Sequence, residues 1–456
     1  MIKWAVTSLF IMSALVILFL LHFPAAADFN PLEVKKHVLD NGLVILTLED
    51  HSAPLVTFQV HYRVGSRNER TGITGMAHLF EHMMFKGSKK YVPEEHARIV
   101  QDNGGTLNAF TSTDNTTYFE NFPSDKLELA MELEAERMEN LNIAAAPEEK
   151  ALATLTSERE VVRSERKIMD NSPYGPVREL LFATAFTTHP YQWSVIGWDS
   201  DLRAISLKDC QNFYRTYYAP NNAVVVIVGD FNTEEAVALV KKYFGHIKAQ
   251  TPPPPVMAEE PVQRGERRAV YKKVAQSPAF FAGYHIPNLT HADYPIVEVL
   301  DNILSRGRSS RLYQRFIKTG KALSVSTYSG GTIDPNLLVV STIAKPDGDI
   351  TQLEKEVYEE IEKLWENPVP EEELEKVKTL LESDFLFGLM RNFSKGVNIG
   401  MTEVRAGDYS LVNKQIELWR AVTSEDIMRV AKEYLHPDNR TVVTLVPISL
   451  EEAKKF

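Results

Sequence analysis

A chain of 456 residues, 44% hydrophobic and 24% charged, has the composition of an ordinary globular protein and length for roughly two to four domains with substantial cores. Its formal net charge of −11 argues against general nucleic-acid binding, which needs a basic face. With a single cysteine, Cys210, no disulfide forms within the chain and cysteine-based zinc sites are excluded, so any metal is held by histidines and carboxylates.

At the N-terminus, Lys3 precedes an apolar run from Trp4 to Phe23, followed by Pro24-Ala25-Ala26-Ala27-Asp28. Small residues at that place suit a signal-peptidase cut, so residues 1–27 read as an export signal cleaved after about Ala27. The competing reading is an uncleaved anchor, because the run approaches the ~20 residues that span a bilayer. Either reading places the rest of the chain outside the cytoplasm, periplasmic or extracellular, with a membrane contact only if residues 4–23 stay attached.

From Val34 to Val64 the pattern is strand-like, with Asp40-Asn41-Gly42 as a turn signal between β-branched runs. Thr74 and Gly75 open a helix that Gly87-Ser88 end. This helix carries His78-Leu79-Phe80-Glu81-His82. Residues three and four apart are neighbours on a helix, so His78, Glu81 and His82 share a face. Two imidazoles one turn apart are a ready pair of Zn²⁺ ligands, and the carboxylate beside them can act as a general base on water. The order His-x-x-Glu-His is the inverse of the commoner His-Glu-x-x-His arrangement. The competing reading is an accident of an amphipathic helix.

A helix from Pro93 to about Asp102 follows, stopped by Asn103-Gly104-Gly105. Thr106–Ser112 and Thr116–Phe119 read as strands joined by an Asp114-Asn115 turn, and helical spacing returns from Asp125 to Asn140. A further helix covers Pro147 to about Asp170, with proline in its first turn. It holds Glu158 and Glu165, two turns apart on one face. A run so rich in charge also reads as a solvated face; as chemistry, it offers the third protein ligand that a catalytic zinc needs.

Thr251-Pro252-Pro253-Pro254-Pro255 is an extended spacer. Beyond it the chain repeats itself. Ser206-x-x-Asp209 returns as Thr423-x-x-Asp426, Ala219-Pro220-Asn221-Asn222 as His436-Pro437-Asp438-Asn439, and Val224–Val228 as Thr441–Leu445, all at an offset of 217 residues. A cap, a turn and a buried strand recurring in order mean two homologous domains rather than a solenoid. The expected fold is α+β: two α/β-sandwich domains in tandem, each a mostly antiparallel sheet covered by helices. The expected boundaries are a zinc-binding catalytic domain over 28–250, a linker over 251–268 and a homologous domain without the metal motif over 269–456. Where the second copy would carry the motif it reads His291-Ala292-Asp293-Tyr294-Pro295-Ile296-Val297.

His78-x-x-Glu81-His82, then Asn108-Ala109-Phe110-Thr111, then Glu158-Arg-x-Val-Val-x-x-Glu165, resembles the pitrilysin (insulinase) family of zinc peptidases, in the branch similar to the mitochondrial processing peptidase β subunit and its bacterial relatives. The resemblance implies one Zn²⁺ per chain, with His78, His82 and Glu165 as ligands, Glu81 as general base and Glu158 as a second acidic residue supporting the site. It implies that Asn108, Ala109 and Phe110 lie on an edge strand where an extended peptide adds as another strand. Family members also use an Arg and a Tyr about seven residues apart to hold the substrate carbonyl. Here the matching places fall near Ile317 and Leu323 or Ser324, so neither residue is present, and Arg311 and Tyr313 are expected to be structural. The resemblance therefore implies the metal-bearing subunit of a dimer, with a homologous partner or a second copy supplying the pair. The alternatives are a non-catalytic assembly or chaperone-like subunit of a larger complex, and a metal-binding protein without hydrolysis.

Overall fold

The computed structural model describes residues 30–455; the expected export signal lies outside them. Among the described residues eleven strands form two sheets. In the first half, β1 (Lys35–Val38), β2 (Val44–Glu49), β3 (Leu55–Tyr62), β4 (Thr106–Thr111), β5 (Thr116–Pro123) and β6 (Ala223–Gly229) are ordered β1-β2-β6-β3-β5-β4. In the second half, β7 (Arg267–Lys273), β8 (Ala279–Ile286), β9 (Ala322–Ser329), β10 (Asn336–Ala344) and β11 (Arg440–Pro447) are ordered β7-β11-β8-β10-β9. Both sheets are mostly antiparallel, as expected, but mixed: β2 runs parallel to β6 and β7 parallel to β11. A parallel neighbour needs a long crossover, and in each half the return strand arrives only after the helices have been laid down.

The repeat read from the sequence is visible at both ends of these return strands. Ser206 and Thr423 each cap a helix and exchange bonds with the third residue on, Asp209 and Asp426. Single turns at Pro220–Asn222 and Pro437–Asn439 then lead into β6 and β11. Strand β6, Ala-Val-Val-Val-Ile-Val-Gly, is buried along its whole length, which is what a strand covered on both faces requires.

What covers those faces is not what a simple tandem predicts. The Gly175–Ala185 helix of the first half packs on β7, β8 and β11 of the second sheet. Val177, Leu181 and Ala185 join a core with Ala279, Phe281, Leu337, Val443 and Leu445. Reciprocally, the Asn392–Ala406 helix lies on β3 and β6. The two helices start 217 residues apart, so they are the same element in the two copies, exchanged between sheets. The close approach depends on glycine: a methyl group at Gly400 would come within 2.3 Å of His61 Nε2. His61 is fully buried and fixed at both ring nitrogens, by Thr117 Oγ1 at 2.9 Å and Gln59 Oε1 at 3.0 Å.

Polar contacts between the halves follow the same exchange. Gln59 donates to the carbonyl of Phe393 at 2.9 Å and Arg63 to that of Glu403 at 3.0 Å. Asp334 of the second half receives Arg67 and, at 2.9 Å, His189 of the first. Glu260, in the irregular stretch before β7, accepts backbone N–H bonds from Thr187, Thr188 and His189, at 2.8 to 3.2 Å.

Candidate metal centre and substrate edge

The Met76–Met83 helix buries Met76, Ala77, Leu79, Phe80 and Met83 in the first core and turns His78, Glu81 and His82 to the other side. Its N-cap is Gly75 at φ 85°, a left-handed conformation where a side chain would also strike the Ile196 carbonyl at 2.5 Å. The exposed N–H groups of its first turn are satisfied from upstream. Glu69 Oε2 accepts from Gly75 N at 2.9 Å and Glu69 Oε1 from Ala77 N at 2.7 Å. This buried carboxylate fixes where the helix begins, and so where its histidines point.

The Glu148–Asn171 helix crosses behind it and brings both candidate carboxylates to the histidines. Glu165 Oε2 lies 3.7 Å from His78 Nε2 and 3.7 Å from His82 Nε2. The ligand atoms of these three residues fall within 4.8 Å of one another. Glu158 approaches from the other side, with Oε2 3.8 Å from His82 Nδ1. It is buried and receives Lys86 Nζ at 3.3 Å on its second oxygen; Lys86 also bonds Glu94 at 2.8 Å.

Electrostatics separate the two rings. Burial pushes His78 down to about 4, with the neighbouring His82 adding to the shift, so it is a neutral imidazole at physiological pH. Burial also pulls His82 down, but Glu158, Glu165 and Glu81 outweigh it and the net direction is up. Burial would raise Glu158; His82 and Lys86 win and hold it below the ordinary carboxylate range. Burial raises Glu81, opposed in part by the hydroxyl of Thr111. A His₂Glu donor set whose ligand atoms converge in this way suits Zn²⁺.

Strand β4 is the free edge of the first sheet, paired on one side only, with Asn108 opposite Phe119, Ala109 opposite Tyr118 and Phe110 opposite Thr117. The His-pair helix packs against it. At the end of β4, Thr111 Oγ1 donates to Glu81 Oε2 at 2.5 Å. Sequence reasoning gave no role to Thr111, Lys86 or Glu69. Lys86 had a signal, being one turn beyond His82; Glu69 had none, since six- and eight-residue reaches match no capping spacing.

Other candidates are placed elsewhere. Arg311 is engaged by Glu373 through two bonds of 3.0 and 2.7 Å, and Tyr313 receives Arg308 at 3.1 Å. Leu323 and Ser324 lie on β9. Among the described residues a second group, His96, Glu120 and Glu134, also has metal-ligand spacing. It is fully enclosed, and Arg137 donates to Glu134 at 2.8 Å, filling the place an ion would take.

The Insulinase (Peptidase family M16) family model matches residues 44–198, and that of the Peptidase M16 inactive domain matches residues 204–381. The zinc protease PqqE of Helicobacter pylori is 33% identical over 416 residues, covering 90% of this chain and 92% of that protein. The probable mitochondrial-processing peptidase subunit beta of Arabidopsis thaliana is 25% identical over 436 residues, covering 93% and 80%. A crystal structure of a protease from Helicobacter pylori superposes with a TM-score of 0.87 at 31% identity, covering 92% of this chain and 100% of that one. With these likenesses over both halves, the chain belongs to the M16 (insulinase) family of peptidases.

Proposed function

We propose that the chain is a zinc-dependent endopeptidase acting on extended peptides or unfolded polypeptides, with Glu81 as general base. The observation that supports this reading best is the placement of Glu165, 3.7 Å from the Nε2 atoms of both histidines, while Glu158 faces the opposite nitrogen of His82. His78, His82 and Glu165 would hold one zinc per chain, and Glu158, fixed by Lys86, would orient His82. When bound, zinc lowers the pKa of water to about 7 and polarises a carbonyl.

The chain's own residues do the rest. Glu81 is on the ligand face of the helix and takes the proton of the attacking water, then passes it to the leaving amine. Burial keeps its basicity up, and Thr111 fixes one oxygen so that the other is free. The edge of β4 at Asn108, Ala109 and Phe110 pairs with the peptide main chain, giving affinity with little demand on sequence.

The second half holds no Arg/Tyr pair at the matching places, and Arg311 is committed to Glu373. We infer that a homologous partner, or a second copy, completes the site. Residues 1–27 would export the protein or anchor it, leaving 28–250 as catalytic domain, 251–268 as linker and 269–456 as the homologous domain.

The test is to purify the chain alone and with whatever homologous chain copurifies, strip the metal, and restore zinc. Peptide hydrolysis should need zinc and should rise sharply with the partner. Full hydrolysis by a zinc-loaded monomer would sink the dimer, and intact peptides with zinc and partner both present would sink the peptidase.

A further inference from the structure

Next to the candidate centre is a cavity of about 230 Å³ lined by Thr113, Met169, Arg178, Glu179, Phe182 and Trp193, among others. Its position follows from the chain. Met169 is four residues after Glu165, hence its neighbour on the same helix face. Thr113 is two residues beyond the end of β4. A peptide laid along β4 and continued past the end of that strand would therefore head toward this cavity.

The walls are largely apolar, with Phe182, Tyr191 and Trp193 among them, and one cation stands in their midst. The Arg178 guanidinium lies 5.2 Å from the ring centre of Phe182 and 5.6 Å from that of Tyr328 on β9. Arg178 is solvent-exposed, yet enough protein crowds it to lower its pKa below the ordinary arginine value, with Tyr328 as the one titratable neighbour opposing the shift. Among the described residues it makes no ion pair. Glu179, the carboxylate on the same wall, is already bound to Arg166 at 2.9 Å. Other arginines of the fold are tied to carboxylates, Arg137 to Glu134, Arg163 to Asp199, Arg166 to Glu179 and Arg311 to Glu373. An arginine held open between two rings, in a cavity with apolar walls, is built for a planar anion on a short apolar stem.

We propose that Arg178 is a specificity-determining residue that binds the carboxylate of an acidic side chain of the peptide substrate, so that the enzyme prefers Glu in the segment that passes this cavity. The proposal rests on the peptidase reading above. It runs against the net charge of −11, which steers cations toward the surface. Steering acts over a Debye length of about 8 Å in physiological salt, whereas the cavity acts at contact.

The test uses quenched fluorogenic decapeptides, amidated at the C-terminus, in which one Glu is moved through every position and compared with Gln there. A third set carries Gln and a free C-terminal carboxylate. The holoenzyme with its partner should favour Glu over Gln at one position by about tenfold in kcat/KM, the size of one charge-assisted bond. Arg178→Glu should invert that ratio and Arg178→Lys should keep part of it. Equal rates for Glu and Gln everywhere, or a preference that survives Arg178→Glu, would overturn the proposal. A preference for the free C-terminus that vanishes in Arg178→Glu would overturn the side-chain assignment and identify a carboxypeptidase-like use of the same cation. If no peptide is cut at all, the peptidase reading falls, and anisotropy with the Glu- and Gln-labelled peptides decides the Arg178 claim by the same comparison.

Discussion

Thr111 Oγ1 and Glu81 Oε2 are 2.5 Å apart, so the last residue of the edge strand holds the carboxylate of the His-pair helix. One hydroxyl thus ties the surface proposed to carry substrate to the group proposed to move the proton. Thr111→Val should lower kcat about 10- to 100-fold, the loss expected for a hydrogen bond to a charged group of about 1.5–3 kcal/mol. KM and zinc content should stay near wild type, and Thr111→Ser should restore most of the rate. A Ser variant as slow as Val would remove the hydroxyl from the account.

The two acidic residues of the Glu148–Asn171 helix should differ in kind. Glu165→Gln should abolish tight zinc binding, whereas Glu158→Gln, acting through His82, should weaken it about 10- to 100-fold. Lys86→Met should act in the same direction as Glu158→Gln and less strongly, because Lys86 Nζ is 3.3 Å from Glu158. Competition with a chelating dye measures all three. A greater loss from Glu158→Gln than from Glu165→Gln would exchange their roles.

The sequence carried the His-pair face and the duplication plainly, because both are periodic: apolar positions at helical spacing, and caps, turns and strands recurring at a constant offset. It could not carry the exchange of the Gly175–Ala185 and Asn392–Ala406 helices, since an apolar stripe reads the same whichever sheet it covers. Nor could it separate Glu158 from Glu165. They share a helix face, and only the second helix's position decides which nitrogen each one meets. Thr111 in a strand reads as β-propensity, and its contact with Glu81 exists only once strand and helix are packed.

The exchanged helices make a stability prediction. Gly400→Ala places a methyl 2.3 Å from a ring that is buried and bonded at both nitrogens, so neither side can yield cheaply. Urea unfolding should show a loss of about 1–3 kcal/mol, the usual cost of overpacking. An unchanged midpoint would mean that the helix does not pack there.

A pH prediction comes from the junction of the halves, away from the metal site. Burial disfavours the charge on Asp334, but His189 and Arg67 outweigh it and pull its pKa from 3.8 down to about 2. A carboxylate with a depressed folded pKa binds fewer protons folded than unfolded, so its contribution is present above pH 3.8 and lost as pH falls toward about 2. Urea midpoints between those values should fall with pH in the wild type and fall less steeply in Asp334→Asn. Identical slopes would show that the junction does not discriminate between the two charge states.

The most direct measurement is made on Glu81→Gln, purified with the proposed partner and loaded with zinc. Zinc per chain is read by elemental analysis and cleavage of a peptide mixture by mass spectrometry. The account predicts one zinc in wild type and variant alike, with cleavage in the wild type and none above background in the variant. Undiminished cleavage by a zinc-loaded Glu81→Gln protein would contradict it.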